Sequence, residues 1–447
     1  MPTIKGKNIK GLNAIFFPDI VVPPALPWLE FVFNGSDSTE NEMFGHSVAM
    51  SGDGLWCIVG SPGGGAQTTG GYTDNEPFRG EAYVFNWDGS NWVESAKLPD
   101  NPDLQDEDFF GWAVAINQDG TKAFVSSRDA PNFSSAPNVG EVYEYTRSGS
   151  VWSYARKVTL TAGITDAFFG YSIDTDSLGA TIAIGAPGRD FNPGTGLEEN
   201  YGFAFATEWT GTFWQDIRLV QSLGAEDYRF GASVSIDNTA SRIAVGAPGF
   251  DSSFLGPNFT GYTFVFRNDG GGTWTEEQIL SPSDGIGRDY FGGHVAISGD
   301  GNYVVASSIN HSTTNSQDGA VYVFSRSGTT WTEEAKIIPS TSTTDYERFG
   351  FSVAINENGT RIAVGVDLGG RFTTLPGTQP VFLYERIGSS WSSFHELISG
   401  EPDVYEGYGN AVSMNNTGNR VLIGSSGGPD NEGTATPAGE VHVFHEP

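Results

Sequence analysis

The sequence predicts an all-β protein: a seven-bladed β-propeller of four-stranded antiparallel blades, closed into a ring by its N-terminal strand. Three observations carry that expectation. Composition is the first: of 447 residues 60 are Gly, 13% are aromatic and 17% are charged, a mixture that favours strands and turns over helices. The second is a unit of about 60 residues that recurs seven times along the chain. The third is a pair of incomplete ends that complement each other. A single compact core stops growing near roughly 250–300 residues, so a chain of this length needs several domains or an array, and the repeat selects the array.

Each unit opens with an aromatic–Gly pair and a short strand of small and β-branched residues. The pairs begin at Phe44, Phe110, Phe169, Phe230, Phe291, Phe349 and Tyr408, and their glycines lie 58 to 66 residues apart. A four-residue turn follows, as in Ser51-Gly-Asp-Gly54, Asn117-Gln-Asp-Gly120, Ser298-Gly-Asp-Gly301 and Asn356-Glu-Asn-Gly359. A polar opening residue and a closing Gly in the left-handed region suit a short hairpin. The second strand is largely apolar, as in 181–187 and 242–248. A long Gly/Pro/Asn loop leads to a third strand, at 81–85, 141–145, 320–324 and 440–444. A fourth begins at a tryptophan: Trp92, Trp152, Trp214, Trp274, Trp331 or Trp391.

The ends then fit together. The last unit stops after its third strand at Phe444, while Trp28-Leu-Glu-Phe-Val-Phe33 stands before the first aromatic–Gly pair, where a fourth strand belongs. The N-terminal strand is therefore expected to complete the last blade and remove an open edge. Residues 28–447 become one domain, and residues 1–27 an extended arm outside it.

With those motifs in place, the aromatic–Gly pair followed by Gly185-Ala-Pro187 or Gly246-Ala-Pro248 resembles the FG-GAP repeats of integrin alpha-subunit propellers. It is most similar to shorter bacterial and viral variants with a tryptophan fourth strand. The resemblance implies an extracellular or particle-surface module for adhesion or protein interaction. In that family a blade often holds Ca2+ between its first two strands, on alternating carboxylates. The turns here carry at most three acidic or amide side chains, too few for the six to eight oxygens calcium takes.

Other chemistry is weighed from the residues. Carboxylates recur shortly before the aromatic–Gly pairs: Glu42, Asp108, Asp166, Asp227, Asp289, Asp345 and Asp403. They read either as a ring of Ca2+ ligands, joined by Asp190 and Asp251, or as turn residues that accept backbone amides. A propeller glycosidase needs paired carboxylates near the axis, where the first strands offer Ser, Ala and the lone Asp174. The six histidines form no metal spacing, and no serine sits in a G-x-S-x-G elbow. Cys57, flanked by Trp56 and Ile58-Val59, is a buried strand residue that can form no intrachain disulfide. No enzymatic activity is therefore expected.

The long loops all emerge on one face, and their aromatics Tyr72, Phe78, Phe133, Phe191, Phe254 and Phe259 are the expected contacts. A net charge of −31 argues against nucleic acid. No apolar run is long enough to cross a membrane as a helix, and Pro18 and Asp19 interrupt the N-terminal apolar stretch, so no secretory signal is read. The arm carries Lys5, Lys7 and Lys10 against Asp19, with Phe16 and Phe17, and is net +2 while the remainder is −33. It is expected to dock into other structural proteins of a larger assembly. The resulting expectation is a phage or viral virion component whose loops contact a host-surface protein or glycan. The alternative is a bacterial surface or exported adhesin assisted by Ca2+.

Overall fold

The computed structural model describes residues 28–38, 42–63, 67–68, 71–72, 79–98, 108–128, 140–158, 167–188, 190–192, 197–199, 202–223, 228–249, 260–312, 318–339, 348–366, 380–399, 407–426 and 439–447. They form seven four-stranded antiparallel sheets, one per blade. Blade one is Ser47–Met50, Trp56–Ser61, Glu81–Trp87 and Trp92–Lys97. Blade two is Phe110–Ile116, Lys122–Ser127, Glu141–Ser148 and Val151–Val158. Blade three is Ser172–Thr175, Thr181–Ala186, Phe203–Trp209 and Trp214–Arg218, and blade four is Ser233–Ile236, Arg242–Ala247, Tyr262–Gly270 and Thr273–Leu280. Blade five is Phe291–Ile297, Tyr303–Ser308, Ala320–Ser327 and Thr330–Ile337, and blade six is Ser352–Ile355, Arg361–Gly365, Val381–Ile387 and Ser390–Leu397.

Blade seven takes Tyr408–Met414, Arg420–Ser425 and Glu440–His445 from the C-terminus and Leu29–Phe33 from the N-terminus. Leu29 pairs with His445 and Phe33 with Val441, antiparallel. The ring therefore closes as the complementary ends predict.

Burial explains the sequence pattern of each strand. Second and third strands are covered on both faces by neighbouring blades, so they read as continuous apolar runs such as Arg242–Ala247. Fourth strands lie outermost and alternate: Trp274 is buried between exposed Thr273 and Thr275. Cores form between blades. Phe44, Cys57, Tyr83 and Trp92 of blade one pack with Leu422, Val441 and Val443 of blade seven. The closing junction is thus packed like the junction of blades three and four. Some of the tryptophans add a polar tie to the preceding blade, as Trp214 donates its indole N–H to Glu144 at 3.1 Å and Trp274 to Glu208 at 2.9 Å.

The two glycines of the repeat meet at the blade boundary. A Cβ on Gly246 would lie 2.0 Å from the carbonyl oxygen of Gly292 in the next blade, and one on Gly185 the same distance from that of Gly231. Close approach of the two backbones, more than turn formation, is what these positions require.

Candidate functional site

The ring has two mouths, and the residues at each are set by the direction of the first strands. At the inner mouth, the seven turns between first and second strands touch one another. Asp53 N donates to Gln118 O, Gln118 N to Ser177 O, Ser177 N to Asn238 O and Asn238 N to Gly299 O. Asp300 N to Glu357 O, Glu357 N to Asn416 O and Asn416 N to Gly52 O complete a closed circuit of backbone bonds. Each turn is capped from within. The Asn117, Asp176 and Asn356 Oδ1 atoms accept amides four and five residues on, and Ser298 Oγ does the same. The carboxylates of Asp176 and Asp237 are therefore occupied in holding hairpins.

Above this circuit lies a cavity of about 260 Å³ on the axis, walled by first strands from all seven blades. Its chemistry is sparse. The wall positions that point between blades are Ala49, Ala115, Asp174, Ser235, Ala296, Ala354 and Ser413. Where these are polar they bridge to the next blade: Ser235 Oγ accepts Ile297 N, Ser413 Oγ accepts Met50 N, and Asp174 accepts Ile236 N and the Ser235 hydroxyl, both at 2.9 Å. Burial pushes the Asp174 carboxyl up to about 6, against those hydrogen bonds and with help from the Asp176 charge. A second carboxylate free to work with Asp174 is not among the described lining residues of the strands.

The outer mouth carries the aromatic–Gly pairs and the long loops. The residue just before each pair takes a left-handed conformation in all seven blades: Met43, Phe109, Phe168, Arg229, Tyr290, Arg348 and Gly407. The residue just after it points along the rim, and in the first three blades it is His46, Trp112 and Tyr171. His46 and Trp112 rings lie 4.6 Å apart, Trp112 and Tyr171 5.9 Å apart. Arg128, one residue beyond the second strand of blade two, places its guanidinium 4.2 Å from the Trp112 ring, 4.8 Å from Phe168 and 5.2 Å from Tyr171. Burial, then the Arg128 charge, lowers the His46 pKa to about 4, so this imidazole is neutral.

Of the sequence-derived contacts, Tyr72 and Phe191 lie in the short hairpin strands Gly71–Tyr72 and Asp190–Asn192, with Asp190 in the latter. Phe78, Phe133, Phe254, Phe259, Lys5, Lys7, Lys10, Phe16 and Phe17 lie outside the described residues, as do Asp166, Asp227, Asp251, Asp345 and Asp403. Asp108 is partly buried, and its carbonyl accepts the Ser127 hydroxyl at 2.6 Å. Asp289 is 1% exposed and holds His311 Nδ1 at 2.8 Å and Ile286 N at 2.8 Å. Among the described residues no group of three His, Cys, Asp or Glu side chains is arranged to hold a metal. Cys57 is buried, and burial raises its thiol pKa far above the ordinary value.

The Arg128 cluster escaped the sequence reading. Its signal was present in the residue after the aromatic–Gly pair, which is aromatic or imidazole in three successive units.

Comparison with known proteins identifies the repeat in two stretches. A model described as "FG-GAP repeat" matches residues 33–85 and 274–324. Both stretches run from the fourth strand of one blade to the third strand of the next, the offset that ring closure exploits. The propeller carries FG-GAP repeats. No curated protein matches the sequence of this propeller. Among solved structures, one described as "Structure of U3-55K" superposes with a TM-score of 0.53 at 8% identity, covering 93% of this FG-GAP chain and 98% of that one. At that identity the likeness concerns the fold alone. Among the described residues of the FG-GAP ring no helix is long and apolar enough to cross a membrane.

Proposed function

We propose that this FG-GAP propeller is a non-enzymatic structural and recognition protein displayed on a particle surface, as a component of a phage or viral virion. In this reading residues 1–27 anchor it to other structural proteins, and the loop face contacts a host-surface protein or glycan. The observation that carries the recognition part is the contrast between the two mouths. One is ringed by a closed circuit of short turns bonded backbone to backbone, and the other presents long connections between second and third strands. A rigid scaffold offering variable loops on one face is a common recognition arrangement. The axis supports the non-enzymatic part, since the polar side chains of its strands, Asp174, Ser235 and Ser413, are spent bridging blades. A mildly basic, apolar, proline-rich arm beside a strongly acidic ring supports separate partners for the two.

Fractionation tests the reading. Full-length chain in purified virions supports it, and recovery in cell-envelope fractions alone overturns it in favour of a cellular adhesin. Deleting residues 1–27 should leave a folded propeller that no longer incorporates. Unchanged incorporation refutes the anchor.

A further inference from the structure

Arginines in this acidic protein are, as a rule, partnered. Arg242 pairs with Glu277 at 2.8 Å, Arg386 with Glu334 at 2.6 Å and Arg156 with Glu144 at 3.1 Å. Arg147 and Arg326 give their N–H groups to backbone carbonyls instead. Arg128 does neither among the described residues. Its Nε is closed off from solvent and has no acceptor. Burial weighs on its protonated form, Tyr171 offsets part of that and the Arg229 charge adds to it, so its pKa is held below the usual arginine value. The adjacent imidazole of His46 is neutral.

A partly buried cation without a counter-charge costs free energy that a folded protein ordinarily avoids by pairing it. Here the three rings of Trp112, Phe168 and Tyr171 supply cation–π contact. They cover the guanidinium and fix its orientation. A guanidinium whose faces are covered can still donate in its own plane, along the edge that reads a carboxylate with two parallel bonds.

We propose that Arg128, positioned by Trp112, Phe168 and Tyr171 at the outer mouth of the ring, is a binding site for a carboxylate group of an incoming ligand. The site rests on the recognition reading above and names the chemistry that the loop face takes. The counter-charge absent among the described residues is supplied by the ligand, so the rings pre-organise the donor and the ligand's carboxylate completes the pair.

The test is titration of the full chain by NMR, following the Arg128 Nε–H and Trp112 indole signals at matched ionic strength. The probes are glucuronate, N-acetylglutamate amide, glucose and sodium chloride. Saturable shifts of both signals with one or both carboxylates, and none with glucose or chloride, are the expected result. The tighter carboxylate identifies an acidic sugar or an acidic side chain as the source. Arg128→Gln should abolish the response. Arg128→Lys, which keeps the charge and loses the fork, should weaken it by about tenfold or more. Wild-type melting of either variant shows that the fold is intact.

No saturable shift with either carboxylate, or an equal response in Arg128→Gln, overturns the site. That failure is separable from failure of the recognition reading. A propeller that binds virions' targets as well with Arg128→Gln as without it loses this site and keeps its recognition role.

Discussion

At the scale of single residues, the two glycines that define the repeat act as a contact pair. Gly246 has no room for a side chain because the Gly292 carbonyl of the next blade stands where its Cβ would be. Blades two and five carry Ser126 and Ser307 at the matching place, but those hydroxyls accept the amides of Ala113 and His294 and so form part of a different local pairing. Alanine at 246 has no such hydroxyl and must push the strands apart. Gly246→Ala should therefore destabilise by about 1–3 kcal/mol, read as a lower urea midpoint with an unchanged slope. An unaltered midpoint would show that the boundary has slack. Asp174 gives a second residue-scale prediction, in pH. Its carboxyl holds a proton up to about pH 6 when folded, against an ordinary aspartate value of 3.8. Between those values the native state binds the proton and the unfolded state has released it, so this group's contribution to stability falls as pH rises. Four blades carry Ala at the same wall position, which makes Asp174→Ala a tolerated comparison. Relative to wild type, the variant should gain about 1–2 kcal/mol between pH 4 and pH 7. A constant difference across that range would remove the assignment.

At the scale of elements, the strand that closes the ring is tied by an imidazole. The third strands carry an aromatic at one register position, Tyr83, Tyr143, Phe205, Phe264, Tyr322 and Phe382, facing the second strand's Val59, Val125, Ile184, Val245, Ala306 and Val364. In blade seven the residue is His442, fully buried, with Nδ1 2.8 Å from Glu30 of the N-terminal strand. Its Nε2 lies 3.0 Å from Glu440, near enough for an ion pair though poorly aligned for a hydrogen bond. The Tyr408 ring stacks edge-on at 5.0 Å. Burial alone would lower the His442 pKa, but Glu30 and Glu440 outweigh it and raise it above 6.5. The pair therefore stabilises closure fully below pH 6.5, and that contribution is lost as pH climbs through the raised folded value. His442→Phe, which restores the aromatic of the other blades, should flatten the stability of wild type between pH 6 and pH 8. A slope equal to that of wild type would place the pH dependence elsewhere. The sequence made the strand visible, through Trp28–Phe33 standing where a fourth strand was missing. It could not make the tie visible, because Glu30 and His442 are 412 residues apart and nothing local marks their meeting.

At the scale of the whole molecule, the ring is held twice. Each blade is bonded internally, and a circuit of seven turn-to-turn backbone bonds joins the blades around one mouth. Fold was legible because these features repeat: seven aromatic–Gly pairs fix seven blades, and the tryptophans fix their outer strands. The outer mouth was less legible for the opposite reason. Arg128 and its rings break the repeat, since matched positions in blades four and five are Ala232 and Gly293, and a departure from periodicity carries no internal check. Closure is what makes the two kinds of bonding cooperate, and truncation separates them. Removing residues 1–27 leaves the closing strand in place and should not change the melting temperature. Removing residues 1–33 takes away five register pairs with Leu29–Phe33 and uncovers the edge from Val441 to His445. A bared strand edge recruits other chains, so the longer truncation should melt earlier and show concentration-dependent association by light scattering. A synthetic peptide spanning residues 28–34, added in excess, should bind the bared edge and reverse both changes. Equal melting of the two truncations would mean that the turn circuit and the remaining junctions hold the ring without its latch.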